Sequence, residues 1–278
     1  MSYKTLRIKK SQAKSDSIMA VSKDIEKNHI KGFKREIAKQ KNRNDFFTWF
    51  TSSKNADSAL VQGHWDFSLH IAYPLAIFLK NPEEKIVLEI GHGGGRMLLS
   101  AAQHFNTAIG IDIHDSNAIV EDDLKIRGVH NFKLIKTDGK NIPLDENSVD
   151  LVYSFIVLQH VEKIEIFENY FKEAYRILKP NGLAILYFGR YYKFSINRAS
   201  KFLYLLDNFL ELIKLKGRYL ELPARINEIN LKVSLIYAKK IAKKFGFEVC
   251  KTLVSHKKVP NGMRLYGGQH GLILQKPH

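Results

Sequence analysis

Apolar positions along the chain change period several times, and each change marks an element. Ile86 to Ile90 is a short apolar run that reads as a buried strand; it breaks at Gly91, and Met97 to Phe105 resumes with helical spacing. The pattern then predicts a helix over 94–104, a strand over 107–112, a helix over 116–127 and strands over 131–136 and 148–155. A helix over 163–178 stops before Lys179-Pro180, where proline cannot continue it, and a strand over 183–188 follows. Strands alternating with helices imply a parallel sheet covered by helices on both faces. A last helix over Val233–Phe245 precedes two consecutive strands, Gly246–Val254 and Leu265–Leu274.

The ends of this pattern are less regular. Ser15 to Gln40 carries a broken helical pattern, and Ser68 to Lys80 reads as a helix that Pro74 kinks or starts. Between the fifth strand and the last helix lies an insertion, 191–232. Within it Phe202, Leu205, Leu206, Phe209 and Ile213 form one apolar stripe, with Ser200, Asp207, Glu211 and Lys214 opposite. Such a helix serves as a lid packed on its own domain, a dimer contact or a helix lying on a membrane surface. Packing on the domain is the commonest use.

Composition sharpens the picture in two places. The single cysteine, Cys250, rules out an internal disulfide and a cysteine-rich cluster, which suits a reducing cytoplasm. No apolar leader opens the chain, and nowhere do apolar residues run long enough to span a bilayer. The net charge of +16 is unevenly divided: +8 over residues 1–60, −5 over 61–189, +11 over 190–258 and +2 in the tail. The core is acidic and its attachments are basic, so the attachments either meet an anionic partner or form a solvated lysine-rich coat.

The glycine break holds the most specific chemistry. A strand that turns through glycines into a helix makes a corner where backbone N–H groups approach an anion or nucleotide. A dinucleotide fingerprint would need Gly or Ala at position 96, where Arg96 stands. The spacing Glu89, Gly91, Gly93, Gly95 instead resembles motif I of the class I S-adenosylmethionine (SAM)-dependent methyltransferases. Ala108-Ile-Gly-Ile-Asp112, Thr137-Asp138-Gly139, Ser148 to Phe155 and Arg176 to Gly182 resemble that family's later segments in the same order. The resemblance covers roughly residues 61 to 190 and the closing strands. It implies a Rossmann-like doubly wound α/β sheet with a closing antiparallel hairpin, here with a basic N-terminal helical arm (1–60) and a helical insertion in the domain 61–278.

The resemblance also implies SAM as cofactor, held by Glu89, Gly91, His92, Gly93, Asp112, Ile113, Asp138, Gly139 and Ser154, with no metal. Asp112 would take the ribose hydroxyls, because one carboxylate accepts from both at once; Asp138 would meet the adenine. The aromatic knots Asp45–Phe50 and Gly63–Phe67 either cover the cofactor and substrate or plug the underside of the sheet. His114 and Asp115 would flank the cofactor. Arg190, Tyr191 and Tyr192 lie where acceptors dock in the family.

Methyl transfer from a sulfonium asks the protein to position an acceptor and exclude water. An oxygen acceptor also has to lose a proton, and His160, just past the fourth strand, is the candidate base; the alternative role is to order that loop. No Asn/Asp-Pro-Pro-Tyr run follows the fourth strand, against adenine or glutamine N-methylation, and Cys250 lies too late in the chain for cytosine C5 chemistry. Phe155-Ile-Val-Leu-Gln-His160 is similar to bacterial methyltransferases of surface-polysaccharide sugars. The expected activity is therefore O-methylation of a sugar, a lipid-linked glycan or another small molecule, with peripheral contact at the inner membrane face and a homodimer as further expectations. An RNA methyltransferase, supported by the basic arm but by no RNA-binding module, and a SAM-binding protein without transfer activity are the alternatives.

Overall fold

A computed structural model of the chain describes residues 29–40, 42–51, 53–191, 201–255 and 269–278. The predicted helical pattern over 15–28, and Tyr192, lie outside them.

One seven-stranded sheet organises the molecule. Its strands are β1 (Ile86–Ile90), β2 (Thr107–Asp112), β3 (Phe132–Lys136), β4 (Val149–Ser154), β5 (Leu178–Gly189), β8 (Glu248–Val254) and β9 (Gln269–Gln275), in the order β3-β2-β1-β4-β5-β9-β8. The strands β1 to β5 pair in parallel, and β9 runs antiparallel between β5 and β8. The order reverses between β1 and β4, the crevice where open α/β sheets bind ligands. Period-two alternation sends Leu88, Ile90 and Val152 to one face and Val87, Leu151 and Tyr153 to the other. The first face is covered by α6 (Ile164–Ile177) and α8 (Leu235–Lys244), with Phe167, Phe171 and Ile241 in the core. The second carries α3 (Ala56–Phe67) and α4 (Arg96–Ala102), with Phe67, Met97 and Leu98. α5 (Asn117–Ile126) connects β2 to β3.

Two segments depart from the sequence pattern. The helix expected to run to Lys80 continues α3 as a π-helical turn, Ser68–Ala72, and then ends with Tyr73–Leu75. Pro74 has no N–H for the carbonyl of His70 four residues back, and the wider turn avoids its ring clash. That freed carbonyl accepts the Tyr187 hydroxyl at 3.0 Å. β5 also begins earlier than predicted. Leu178 already pairs with Val149, and the turn at Lys179–Gly182 is absorbed as a register shift, with Asn181 at φ 64°.

The arm is built into the domain. α1 (His29–Ala38) and α2 (Arg43–Trp49) sit over the glycine corner, and Ile37, Phe46 and Phe47 join the second core. The insertion contributes α7 (Lys201–Leu212) and a two-stranded ribbon, β6 (Tyr219–Glu221) with β7 (Leu231–Val233). Here the usual arrangement is reversed: Asp207 and Glu211 are buried, while Phe202, Leu205 and Phe209 are exposed. A lid or core helix would have turned that stripe inward.

Candidate active site

The site forms where β1, β2 and β4 release the chain. Gly91 leaves β1 at φ 75°, and a side chain there would meet Val157 at 2.4 Å. Gly93 follows at φ 54°, with the Phe50 ring 2.9 Å from where its Cβ would be. Both positions need glycine for backbone conformation and for space. The corner is fixed from β2. The amides of Gly91 and His92 donate to the Ile111 carbonyl at 2.8 and 3.2 Å. Asp112 Oδ2 accepts from the Gly93 amide at 2.8 Å and Oδ1 from its neighbour Ile113 at 2.7 Å. Each carboxylate oxygen therefore keeps lone-pair capacity facing the cavity.

The cavity is lined by Glu89, Gly91, His92, Gly93, Asp112, Ile113, Gly139 and His160, eight of the ten residues expected from sequence. Two are not among its lining. The Asp138 carboxylate accepts from the amides of Lys140 and Asn141, both at 2.8 Å, and so closes the turn that presents Gly139. Ser154 is fully buried behind the lining.

Glu89 is the most perturbed acid in the cavity. It lies in β1 opposite Tyr153 and Gly110, accepts the Tyr153 hydroxyl at 2.9 Å, and burial pushes its carboxyl up to about 8. His92 is buried too, and desolvation holds its imidazole well below its ordinary value, so it is neutral. Neither of its ring nitrogens has a hydrogen-bond partner among the described residues. His92, Asp112 and His114 bring potential ligand atoms within 4.8 Å of one another. His114, however, accepts the Ser116 amide at Nδ1 (3.1 Å), so its Nε2–H donates to the Gly93 carbonyl (2.9 Å), and neither nitrogen is left for a metal.

His160 stands at the other end, in the loop after β4. Its Nδ1 lies 2.6 Å from the Glu228 carbonyl and must carry the proton, because a carbonyl only accepts. That tautomer leaves the lone pair on Nε2, which the Gln159 side-chain amide nitrogen approaches at 3.4 Å. Asn230, also from the insertion, donates to the His160 carbonyl at 2.9 Å. The same loop holds Ile156 at φ 63°, a strained conformation for a β-branched residue, and Ile156 lines the cavity.

Sequence reasoning left one part of the wall unassigned. Ile30, Phe33 and Ile37 from α1 close the cavity with Trp49 and Phe50 at the end of α2, and Asn227 comes from the β6–β7 loop. The first knot divides between its two expected roles: Phe46 and Phe47 plug the core, whereas Trp49 and Phe50 cover the site. Helical spacing across Ile30, Phe33 and Ile37 was the available signal. Arg96 also lines the cavity and pairs with the fully buried Asp66, a partnership that nothing in the glycine motif announces.

A family model described as a methyltransferase domain matches residues 88–186. The matched stretch holds the glycine corner, Asp112 and Asp138, the segments that resemble the class I SAM-dependent methyltransferases. The chain is 27% identical over 179 residues to a malonyl-[acyl-carrier protein] O-methyltransferase of Marinomonas sp. (strain MWYL1), covering 63% of this chain and 59% of that one. It is 30% identical over 88 residues to a demethylmenaquinone methyltransferase of Staphylococcus saprophyticus, covering 32% and 36%. The chain thus spans less than two thirds of the length of these relatives. A putative sarcosine dimethylglycine methyltransferase from Galdieria sulphuraria superposes with a TM-score of 0.53 at 17% identity, over 80% of this chain and 87% of that one, which shows the shared fold. SAM is the cofactor that the sequence resemblance implies, and the residues lining the cavity fit it. A carboxylate ends β2, a buried carboxyl lines the cavity, and the His92 nitrogens lack hydrogen-bond partners among the described residues.

Proposed function

We propose that the protein transfers a methyl group from SAM to a hydroxyl oxygen of a small-molecule acceptor, which includes a sugar of a surface polysaccharide or lipid-linked glycan. The observation that carries this reading is the tautomer of His160, whose lone pair lies on Nε2 in a cavity shared with the glycine corner. When bound, SAM supplies a methyl group already activated on a cationic sulfonium. Asp112 holds the ribose hydroxyls, and the Asp138 turn sets Gly139 against the adenine side. Glu89 faces the cationic methionine end, where a positive charge draws its carboxyl towards ionisation. At the acceptor end, His160 Nε2 takes the hydroxyl proton as oxygen attacks, and the Glu228 carbonyl stabilises the imidazolium through Nδ1–H. Phe33, Trp49 and Phe50 exclude water and offer flat apolar faces to the acceptor. The relatives' named acceptors, a carrier-bound malonyl group and a quinone, support a small or lipid-like substrate class.

The experiment pairs binding with turnover. Asp112→Ala should weaken S-adenosylhomocysteine binding by about 1.5–3 kcal/mol in isothermal titration, through loss of charge-assisted hydrogen bonds. His160→Ala should leave that affinity nearly intact and lower kcat on a hydroxyl acceptor by roughly 10²–10⁴. Collapse of cofactor binding in His160→Ala, with turnover kept at saturating SAM, would move His160 to the cofactor site and remove the base.

A further inference from the structure

The reversed helix α7 leaves an apolar ridge that the other described residues do not cover. Phe202, Leu205, Phe209 and Leu212 are 73, 63, 57 and 69% exposed, and Ile213 and Leu215 extend the ridge past the helix end. The inner side explains the reversal. Glu211 accepts the Ser234 hydroxyl at 2.5 Å, and Lys216 Nζ lies 3.6 Å from Asp207 and 3.9 Å from Glu211. Lys216 also sits over the Tyr191 ring, 5.0 Å from its centre. All three charged side chains are buried and compensate one another, so the helix is anchored by polar contacts and cannot roll its apolar side inward without stripping those charges of partners.

The charge of the outward face follows from the same arrangement. Asp207 and Glu211 are the only acids between residues 201 and 218, and both point inward. Lys214 and Arg218 are exposed. Between residues 201 and 218 the exposed residues therefore combine an apolar ridge with Lys214 and Arg218 and include no carboxylate, and Tyr219, Leu220 and Ile229 of the adjoining ribbon are exposed as well.

We infer that this face docks the protein on an anionic lipid bilayer. A single helix is convex, so it suits insertion among head groups, with the cations meeting lipid phosphates. The insertion that carries the ridge also supplies Glu228 and Asn230 to His160 and Asn227 to the cavity wall. Docking would thus hold the acceptor entrance near the bilayer. The inference stands on the surface of the insertion and not on the methyl-transfer reading.

Sedimentation with vesicles tests it on the full chain. Wild type should bind phosphatidylcholine–phosphatidylglycerol vesicles about tenfold or more tightly than pure phosphatidylcholine, and raised salt should weaken the difference. Leu205→Gln, Phe209→Gln and Leu212→Gln together should lower the anionic-vesicle affinity about tenfold or more, with an unchanged melting temperature and S-adenosylhomocysteine affinity. Lys214→Glu with Arg218→Glu should erase the preference for the anionic lipid. Equal binding by wild type and the apolar triple variant overturns the inference, as does no sedimentation of wild type. A wild-type dimer that the triple variant converts to monomer overturns it as well and assigns the ridge to a second copy.

Discussion

Glu89 should make the stability of the cofactor-free protein fall as pH rises, and Glu89→Gln should remove that part of the fall. In the folded chain burial raises this carboxyl to about 8 from an ordinary 4.5, although the Tyr153 hydroxyl and Arg96 pull the other way. Between those two values the folded state keeps a proton that the unfolded state has released. Linkage then requires stability to decline with pH across that window, with the full contribution present below about 4.5 and lost above about 8. At about 1.4 kcal/mol per tenfold, the whole span is worth about 5 kcal/mol. The part falling between pH 6 and pH 9 is about 3 kcal/mol. Glutamine keeps an acceptor for the Tyr153 hydroxyl and has no proton to lose. Urea unfolding of wild type and Glu89→Gln at a series of pH values reads the difference directly, because every other titrating group cancels. Wild type should lose about 3 kcal/mol more than the variant from pH 6 to pH 9, equivalent to about 6–10 °C in thermal midpoint. Parallel curves would show that Glu89 is not desolvated as its burial demands, and the argument for a carboxyl awaiting a cation would fail with it.

Two further outcomes concern the frame that holds the site. Gly63→Ala places a Cβ 2.3 Å from the Arg96 carbonyl oxygen, a backbone atom, so α3 and α4 must separate; thermal melting should show a loss of about 1–3 kcal/mol. Asp66→Ala strands the Arg96 guanidinium in a buried site, and chemical denaturation should show a loss of about 3–5 kcal/mol. Adding Arg96→Met to Asp66→Ala should recover most of it, since an apolar side chain of similar length needs no partner; if the double variant is no better than the single one, the pair is not the source of the cost.

The parallel strands, the helices between them and the glycine corner were legible in the sequence because each rests on a local cause. Periods of two and 3.6 follow from backbone geometry, and the positive φ at Gly91 and Gly93 can be met comfortably only by glycine. Asp112 was legible for the same reason, since a carboxylate ending a strand beside that corner is fixed by the chain around it. Other features depend on partners distant in sequence. Pro74 announced a disturbance, but only the Tyr187 hydroxyl, waiting for the His70 carbonyl, shows how the widened turn is satisfied. Asp138 is a local exception: it looked like a contact residue, yet its carboxylate accepts from the amides of Lys140 and Asn141 in its own turn. The tautomer of His160 is set by Glu228, 68 residues away, so no local pattern could have contained it. The stripe on α7 was plain from Phe202 to Ile213, yet amphipathicity says only that two faces differ. Which one turns inward was decided by Ser234 and Lys216, whose buried contacts with Glu211 and Asp207 hold the polar face down and leave the apolar one to solvent.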